Sequence, residues 1–488
     1  MIVMNQSMCR QTLLPGFVCF LSVILAATLG CNSNQQRSTS QATRPSGYDV
    51  VTDGRNELPI LSGDLSLDQA ESMTLAHNRQ IGIAQQELVR AKGLRLEALS
   101  RWLPKLATQA SYTNIPNPPT FEVLNRDTPL GAEDNYSVTV ALQQTLFASG
   151  GNLAAIRGAK AFTHAAEAGE DLAQQLAISQ VRKAYYDAVL ARDMVRVADE
   201  AFQLSREHWL DTKKRFDQGA ASRFDVLRAK VEISNVEAQK IMLENAWKNA
   251  DANLLNLIGV SLDSEVTLTG TLTYDPIDVN LADAQALAMV QRPDLKALRK
   301  QVDVEEAKMK ITRSDRLPRV ELNVAEMWSK PGVAGSFGPI TGGGSEWEDN
   351  LSVTLMAQMP VFDGLNTRGR VIQNEAQVRQ AQLRLLEQTD LAFLNVKQAV
   401  LGIEDAAKFV ESQSANVDQA KEALHLAEVG YNEGVNKLIE VQDARTALTM
   451  AERNYYQAVH GHMVAKLALE TATGSIKVPQ AANLVQAE

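Results

Sequence analysis

Residues 67–104 of this chain reappear as residues 281–318 at a constant offset of 214, and this duplication constrains the fold more than any other feature. Ala70 falls on Ala284, Ile81 on Leu295, and Leu103-Pro104-Lys105 on Leu317-Pro318-Arg319. Beyond the following loop the offset becomes 215. Ser137-Val138-Thr139-Val140 then matches Ser352-Val353-Thr354-Leu355, and Phe147 matches Phe362. The register persists to the far end, with Phe216-Asp217-Gln218-Gly219 on Tyr431-Asn432-Glu433-Gly434 and Gly259 on Gly474. An offset held over more than a hundred residues marks two tandem structural repeats, 65–275 and 279–474.

Each repeat reads as helix, strand, strand, very long helix, shorter helix. The first helices span 67–102 and 283–316 and end at a proline, after which strands are expected over 105–114 and 319–328. In the second of these Val320, Leu322 and Val324 alternate with Arg319, Glu321 and Asn323. Loops rich in proline and glycine follow at 115–134 and 329–349, and return strands at 135–147 and 350–362 alternate again. The long helices cover about 152–216 and 367–431, roughly 100 Å each at 1.5 Å per residue. Their seams place Val181, Ala184 and Ala188 in one copy and Val396, Val400 and Ile403 in the other at spacings of three and four, as in coiled coils. Gly219 and Gly434 suit the turns that send the chain back as helices 223–258 and 437–473.

Composition fits long packed helices: aromatics are only 5% and charged residues 22%. A net charge of −10 argues against nucleic acid as a partner. Residues 1–30 carry one charge, Arg10, ahead of an apolar run from 13 to 29, and read as a secretory signal peptide. The alternative, a retained anchor, meets a core shorter than the ~20 residues a spanning helix needs. The junction Gly30-Cys31 resembles a bacterial lipobox, with Thr28 where that motif has leucine. Asn32 is not the aspartate associated with inner-membrane retention. Cys31 is therefore the expected lipidation site, and residues 31–64 a lipid-anchored flexible linker; 475–488 form a C-terminal tail.

Strands of about ten residues with one apolar and one polar face have the length and pattern of a membrane β-barrel wall. Four cannot close, because open edges are not tolerated in lipid. Two copies would enclose too narrow a bore; three would supply twelve strands. A soluble, elongated periplasmic coiled-coil scaffold or adaptor is the alternative.

The repeat layout, the Leu-Pro before each first strand, Phe147 and Phe362, and the Gly434-x5-Glu440-Val441 pattern resemble the TolC-type outer membrane efflux family. Arg292-Pro293-Asp294-Leu295 is similar to its helix-opening motif, where the first copy has Asn78-Arg79-Gln80-Ile81. The resemblance covers residues 65–474. It implies a homotrimer in the bacterial outer membrane, with a twelve-stranded barrel continued as a periplasmic α-helical barrel. It also implies a periplasmic adaptor, an inner-membrane pump of RND or ABC type, contact with outer-membrane lipid, and passive conduction without cofactors.

The sequence holds no P-loop, G-x-S-x-G, cysteine pair or HExxH. His460 and His462, without acidic or cysteine neighbours in sequence, read as a solvated helix face rather than a metal site. Glu440 and Asp443, three apart, share a helix face. The resemblance makes them lining residues of the pore aperture, whereas a plain reading has them favouring a helix dipole. It also makes Asp225, Tyr431 and Asn436 the gate links at the tip. Asn436 stands where the family has arginine, so only a neutral bond to Asp225 is available there. Adaptor docking is expected at the tip turns around Gly219 and Gly434, and loops 115–134 and 329–349 are expected to face outside.

Overall fold

Long-range side-chain bonds give each repeat its shape. The structure, a computed structural model, describes residues 58–118, 120–123, 126–129, 132–330 and 347–479. The signal, Cys31, the linker to residue 57, loop residues 331–346 and the tail from 480 lie outside them. The first repeat runs β1 (Ser62–Leu65), α1 (Leu67–His77), α2 (Arg79–Ser100), β2 (Lys105–Asn114), a hairpin of β3 (Thr120–Val123) and β4 (Arg126–Pro129), β5 (Asp134–Phe147), α3 (Gly151–Asp217), α4 (Arg223–Ile258) and β6 (Glu265–Leu268). The second runs α5 (Leu281–Gln291), α6 (Pro293–Ser314), β7 (Arg319–Lys330), β8 (Glu348–Gln358), α7 (Asn366–Asn432) and α8 (Leu438–Thr473).

The first helix expected in each repeat is two helices. Asn78 breaks the first copy with extended backbone, φ −68° and ψ 123°. Its side chain accepts from the Gln80 amide at 2.9 Å and donates to the Leu257 carbonyl at 3.1 Å. One residue thus caps the start of α2 and the end of α4. In the second copy Arg292 precedes Pro293, which disfavours helical backbone at Arg292. Its guanidinium donates to the Ala472 carbonyl at 3.0 Å, at the end of α8. Arg292 also pairs with Asp294 at 2.6 Å, and Asp294 accepts from Gln388 of α7 at 2.9 Å. Burial opposes ionisation of Asp294, but these bonds outweigh it and hold its carboxyl below the usual range. Two chemistries therefore solve one problem, and α2 continues α4 as α6 continues α8. The glycines at these joints are obligatory. Gly259 (φ +87°) and Gly474 (φ +72°) are left-handed, and a Cβ on either would sit 2.9 Å from backbone atoms of His77 or Arg292.

The helical rods lie side by side in the order α2/α4, α3, α6/α8, α7. Val181, Ala184 and Ala188 pack with Leu254 and Ile258, and Val396 and Val400 with Ala288 and Ala472. Leu254 and Ile258 are fully buried, each contributing roughly 1.5–3 kcal/mol. A short parallel pair, β1 with β6, packs on α3, where the Tyr185 hydroxyl donates to the Leu65 carbonyl and accepts from the Gly270 amide.

The main sheet is antiparallel in the order β2-β5-β7-β8. One row across it reads Leu106, Leu142, Val324, Val353, and the adjacent row reads Lys105, Gln143, Asn323, Thr354. One face is thus mainly apolar and the other mainly polar, with exceptions such as Glu326 beside Val140 on the first and Met327 beside Thr139 on the second. A bulge between Thr145 and Phe147 sets Phe147 opposite Val320 and returns it to the apolar face. β8 ends at Gln358, short of residue 362, because Pro360 cannot donate to a ladder.

Each strand prolongs one rod: β2 follows α2, β5 leads into α3, β7 follows α6, and β8 leads into α7. Strand order and rod order coincide, so both layers end on the same two edges. Among the described residues nothing covers those edges. Every residue of β2 is exposed, Val353 on β8 is 66% exposed, and Leu394 and Leu401 on α7 are exposed as well.

Candidate functional site: the hairpin tips and the pore wall

Both tips turn on a left-handed glycine. At the first, Gly219 has φ +75° and the Ala220 amide closes a bond to the Arg215 carbonyl at 2.7 Å. At the second, Gly434 has φ +78° and Val435 bonds back to Gly430 at 2.8 Å. These are glycine C-terminal caps with a six-to-one bond. Ser222 then caps α4 and exchanges bonds with Asp225, whose carboxylate accepts from the Ser222 amide at 3.0 Å and hydroxyl at 2.6 Å. Those bonds lower the Asp225 pKa.

Glu440 occupies the matching place on α8 and accepts from the Lys437 amide at 3.3 Å. It is exposed, as is Asp443 one turn further on. Asp443 borders a cavity of about 360 Å³ between the two hairpins, together with Arg228 and His208. Asn436 turns into its own hairpin. Its amide donates to the Ala427 carbonyl at 3.4 Å and lies where a Gly430 side chain would be.

Near the tips the two hairpins of one chain are joined at Tyr431, through Arg215, and at Gln442, through His208. Arg215 donates to the Tyr431 hydroxyl at 2.8 Å and stacks over its ring at 5.4 Å. The Gln442 amide lies 2.9 Å from His208 Nε2. An amide nitrogen can only donate, so this ring nitrogen accepts and is unprotonated. Asp225, Tyr431 and Asn436 are therefore not brought together within one chain. Arg215 is not among the links expected from the sequence. The signal was the repeat itself, in which Arg215 falls on Gly430 and so has no counterpart.

The histidine pair also differs from expectation. His462 is fully buried, edge-on to the Tyr274 ring at 4.9 Å, and His460 contacts Asp187 of α3 at 2.7 Å. Neither is the solvated pair expected: His460 meets α3, and His462 is covered by the irregular segment around Tyr274. Among the described residues no group of three or more metal-ligating side chains occurs.

An amphipathic sheet whose strands run on into helical hairpins roughly 100 Å long defines the protomer of a channel reaching well beyond its membrane. A family model described as outer membrane efflux protein matches residues 71–260 and 285–475, one match per repeat. The chain belongs to the outer membrane efflux protein family, whose members are transport channels and not enzymes. It is 24% identical over 451 residues to outer membrane protein TolC of Escherichia coli, covering 86% of each chain. It is 23% identical over 362 residues to the alkaline protease secretion protein AprF of Pseudomonas aeruginosa, covering 73% of this chain and 74% of that one. Among solved structures it resembles the outer membrane protein VceC of Vibrio cholerae, with TM-score 0.70, 20% identity and coverage of 84% and 96%. It also resembles the Campylobacter jejuni CmeC channel, with TM-score 0.72, 15% identity and coverage of 85% and 87%. These likenesses establish the fold of outer-membrane efflux ducts.

Proposed function

We propose that three copies of this chain form the exit duct of a tripartite efflux or type I secretion machine. The duct passively carries substrates from an inner-membrane pump across periplasm and outer membrane. The observation that carries this reading is the coincidence of open edges. A neighbour that pairs β8 with β2 also lays α7 against α2/α4, and three such joints give twelve strands and a closed barrel. In this reading a periplasmic adaptor docks at the tips around Gly219 and Gly434, beneath a pump of RND or ABC type. Cys31 carries a lipid anchor in the outer membrane. Asp225, Tyr431 and Asn436 belong to the gate, with Tyr431 held by Arg215, and Glu440 and Asp443 line the aperture.

The test is the full-length protein extracted from membranes in detergent. A mass of three chains, a conducting pore in planar bilayers and a lipid-modified Cys31 peptide are expected. A monomer that fractionates with soluble periplasmic protein overturns the reading in favour of a scaffold.

The gate carries a pH dependence. Burial first, then the Arg445 and Arg215 charges, lower the His208 pKa below its usual ~6.5, partly opposed by Asp211. Arg228 and Glu232 of α4 and Asp443 of α8 border the same cavity. A depressed histidine stabilises the joined hairpins fully above about pH 6.5, and that contribution falls as pH drops below it. Protonation also removes the acceptor for Gln442. Conductance is expected to rise as pH falls below about 6.5 and to change little above it, and the His208→Gln protein is expected to lose the rise. An identical pH response in both proteins rules this out.

A further inference from the structure

The polar face of the sheet ends, at its helix-proximal rim, on a cluster of cations. Lys105 opens β2 and Arg319 opens β7, each just after the proline that follows a helix. The two coincide under the repeat offset, so the duplication placed a cation at this level twice. Lys105 pairs across the ladder with Gln143, and Arg319 with Gln358. Arg101, in the turn after α2, joins them around a cavity of about 370 Å³ that Thr145 and Asn152 also line. Among the described residues no carboxylate lines that cavity. Arg319 pairs with Glu321 at 2.6 Å, while among the described residues neither Arg101 nor Lys105 forms an ion pair.

Cations at a membrane rim commonly reach toward lipid headgroups. The register argues otherwise for these. Lys105 sits in the polar row, on the face opposite Leu106 and Leu142, and Arg319 shares that face with Glu321 and Asn323. In a closed barrel the polar face is the lumen. The chain as a whole carries −10, so unpaired cations on this face run against its general charge.

We propose that Arg101, Lys105 and Arg319 form an anion-binding ring in the lumen where β-barrel meets helical tunnel. Its ligands are multivalent oxyanions, carboxylate or phosphate, free or as groups on the cargo. The inference rests on the exit-duct reading. In a trimer each copy brings three cations and one Glu321, leaving a net positive collar. Charged rings of this kind set the ion preference of pores, and guanidinium groups hold oxyanions through short charge-assisted bonds. Gln143, Thr145 and Asn152 supply neutral polar atoms beside the cations.

The experiment uses the full-length protein in planar bilayers, with citrate or tripolyphosphate added on the barrel side. Each anion is expected to reduce the current in about 0.1 M KCl, and less so in about 1 M, where the Debye length falls from about 10 to 3 Å. The relative strength of the two blocks reports whether carboxylate or phosphate fits better. Arg101→Gln, Lys105→Gln and Arg319→Gln combined are expected to weaken the block about tenfold or more. The charge-preserving combination Arg101→Lys, Lys105→Arg and Arg319→Lys is expected to retain it. Unaltered current without anion shows that either variant still forms the pore. Equal block in wild type and the glutamine variant overturns the ring but leaves the duct standing. A wild-type protein that conducts nothing overturns the duct itself, and the ring with it.

Discussion

Replacing Arg182 with alanine is expected to destabilise the protein by about 3–5 kcal/mol, because it strands a buried carboxylate. Arg182 of α3 holds Glu71 of α1 through two bonds, at 2.5 and 3.2 Å, and Glu470 of α8 at 2.9 Å. Glu71 is 3% exposed and Arg182 only 15%, so water screens the group weakly. A fourth bond, at 3.4 Å, reaches the Lys477 carbonyl beyond α8. One guanidinium thus ties both repeats together where α1 lies on the helical wall. Chemical denaturation of Arg182→Ala, Glu71→Ala and the double variant separates the pair's coupling from the cost of an orphaned charge. The double variant is expected to be less destabilised than the sum of the single changes. A loss below about 1 kcal/mol for Arg182→Ala would show a solvated pair of little consequence.

The same clamp marks the limit of what the sequence discloses. Repeat arithmetic makes the helix–strand–strand–helix–helix layout legible, because apolar periodicity and turn residues are local properties. The seam through Val181, Ala184 and Ala188 could be read from spacing alone. What closes the structure is not local. Asn78 breaks a helix by bonding Leu257, and Arg182 reaches Glu71 and Glu470; each partner is more than a hundred residues away. A helical pattern runs through Asn78 without a gap, so nothing in the first copy announces two helices. The second copy did announce it, through Pro293, and comparing the copies would have carried the break back to Asn78. Strands β1 and β6 are four residues each and pair across the whole first repeat, too short for any periodic signal. His462 looked solvated because its partner, Tyr274, lies in an irregular segment whose path no pattern specifies.

At the tip, neutralising Glu440 and Asp443 together is expected to abolish cation preference and alter the conductance of the resting channel. Both carboxylates are exposed on one face of α8 just past the Gly434 turn, and neither is paired with a cation among the described residues. A carboxylate serving only the helix start would contribute about 0.3–1 kcal/mol and leave ion selectivity unchanged. Three copies around an axis would instead set two levels of carboxylates against the narrowest part of the bore, where like charges repel anions and gather cations. The readings therefore part on reversal potential, not on stability. Under a KCl gradient the Glu440→Ala, Asp443→Ala protein is expected to shift its reversal potential toward zero, whereas Asp225→Ala, removing a carboxylate already engaged by Ser222, is expected to shift it less. Unchanged selectivity and conductance in the double variant would reduce Glu440 and Asp443 to helix-start residues. The aperture would then have to be sought among Arg215, Tyr431 and His208, which join the two hairpins near the tips.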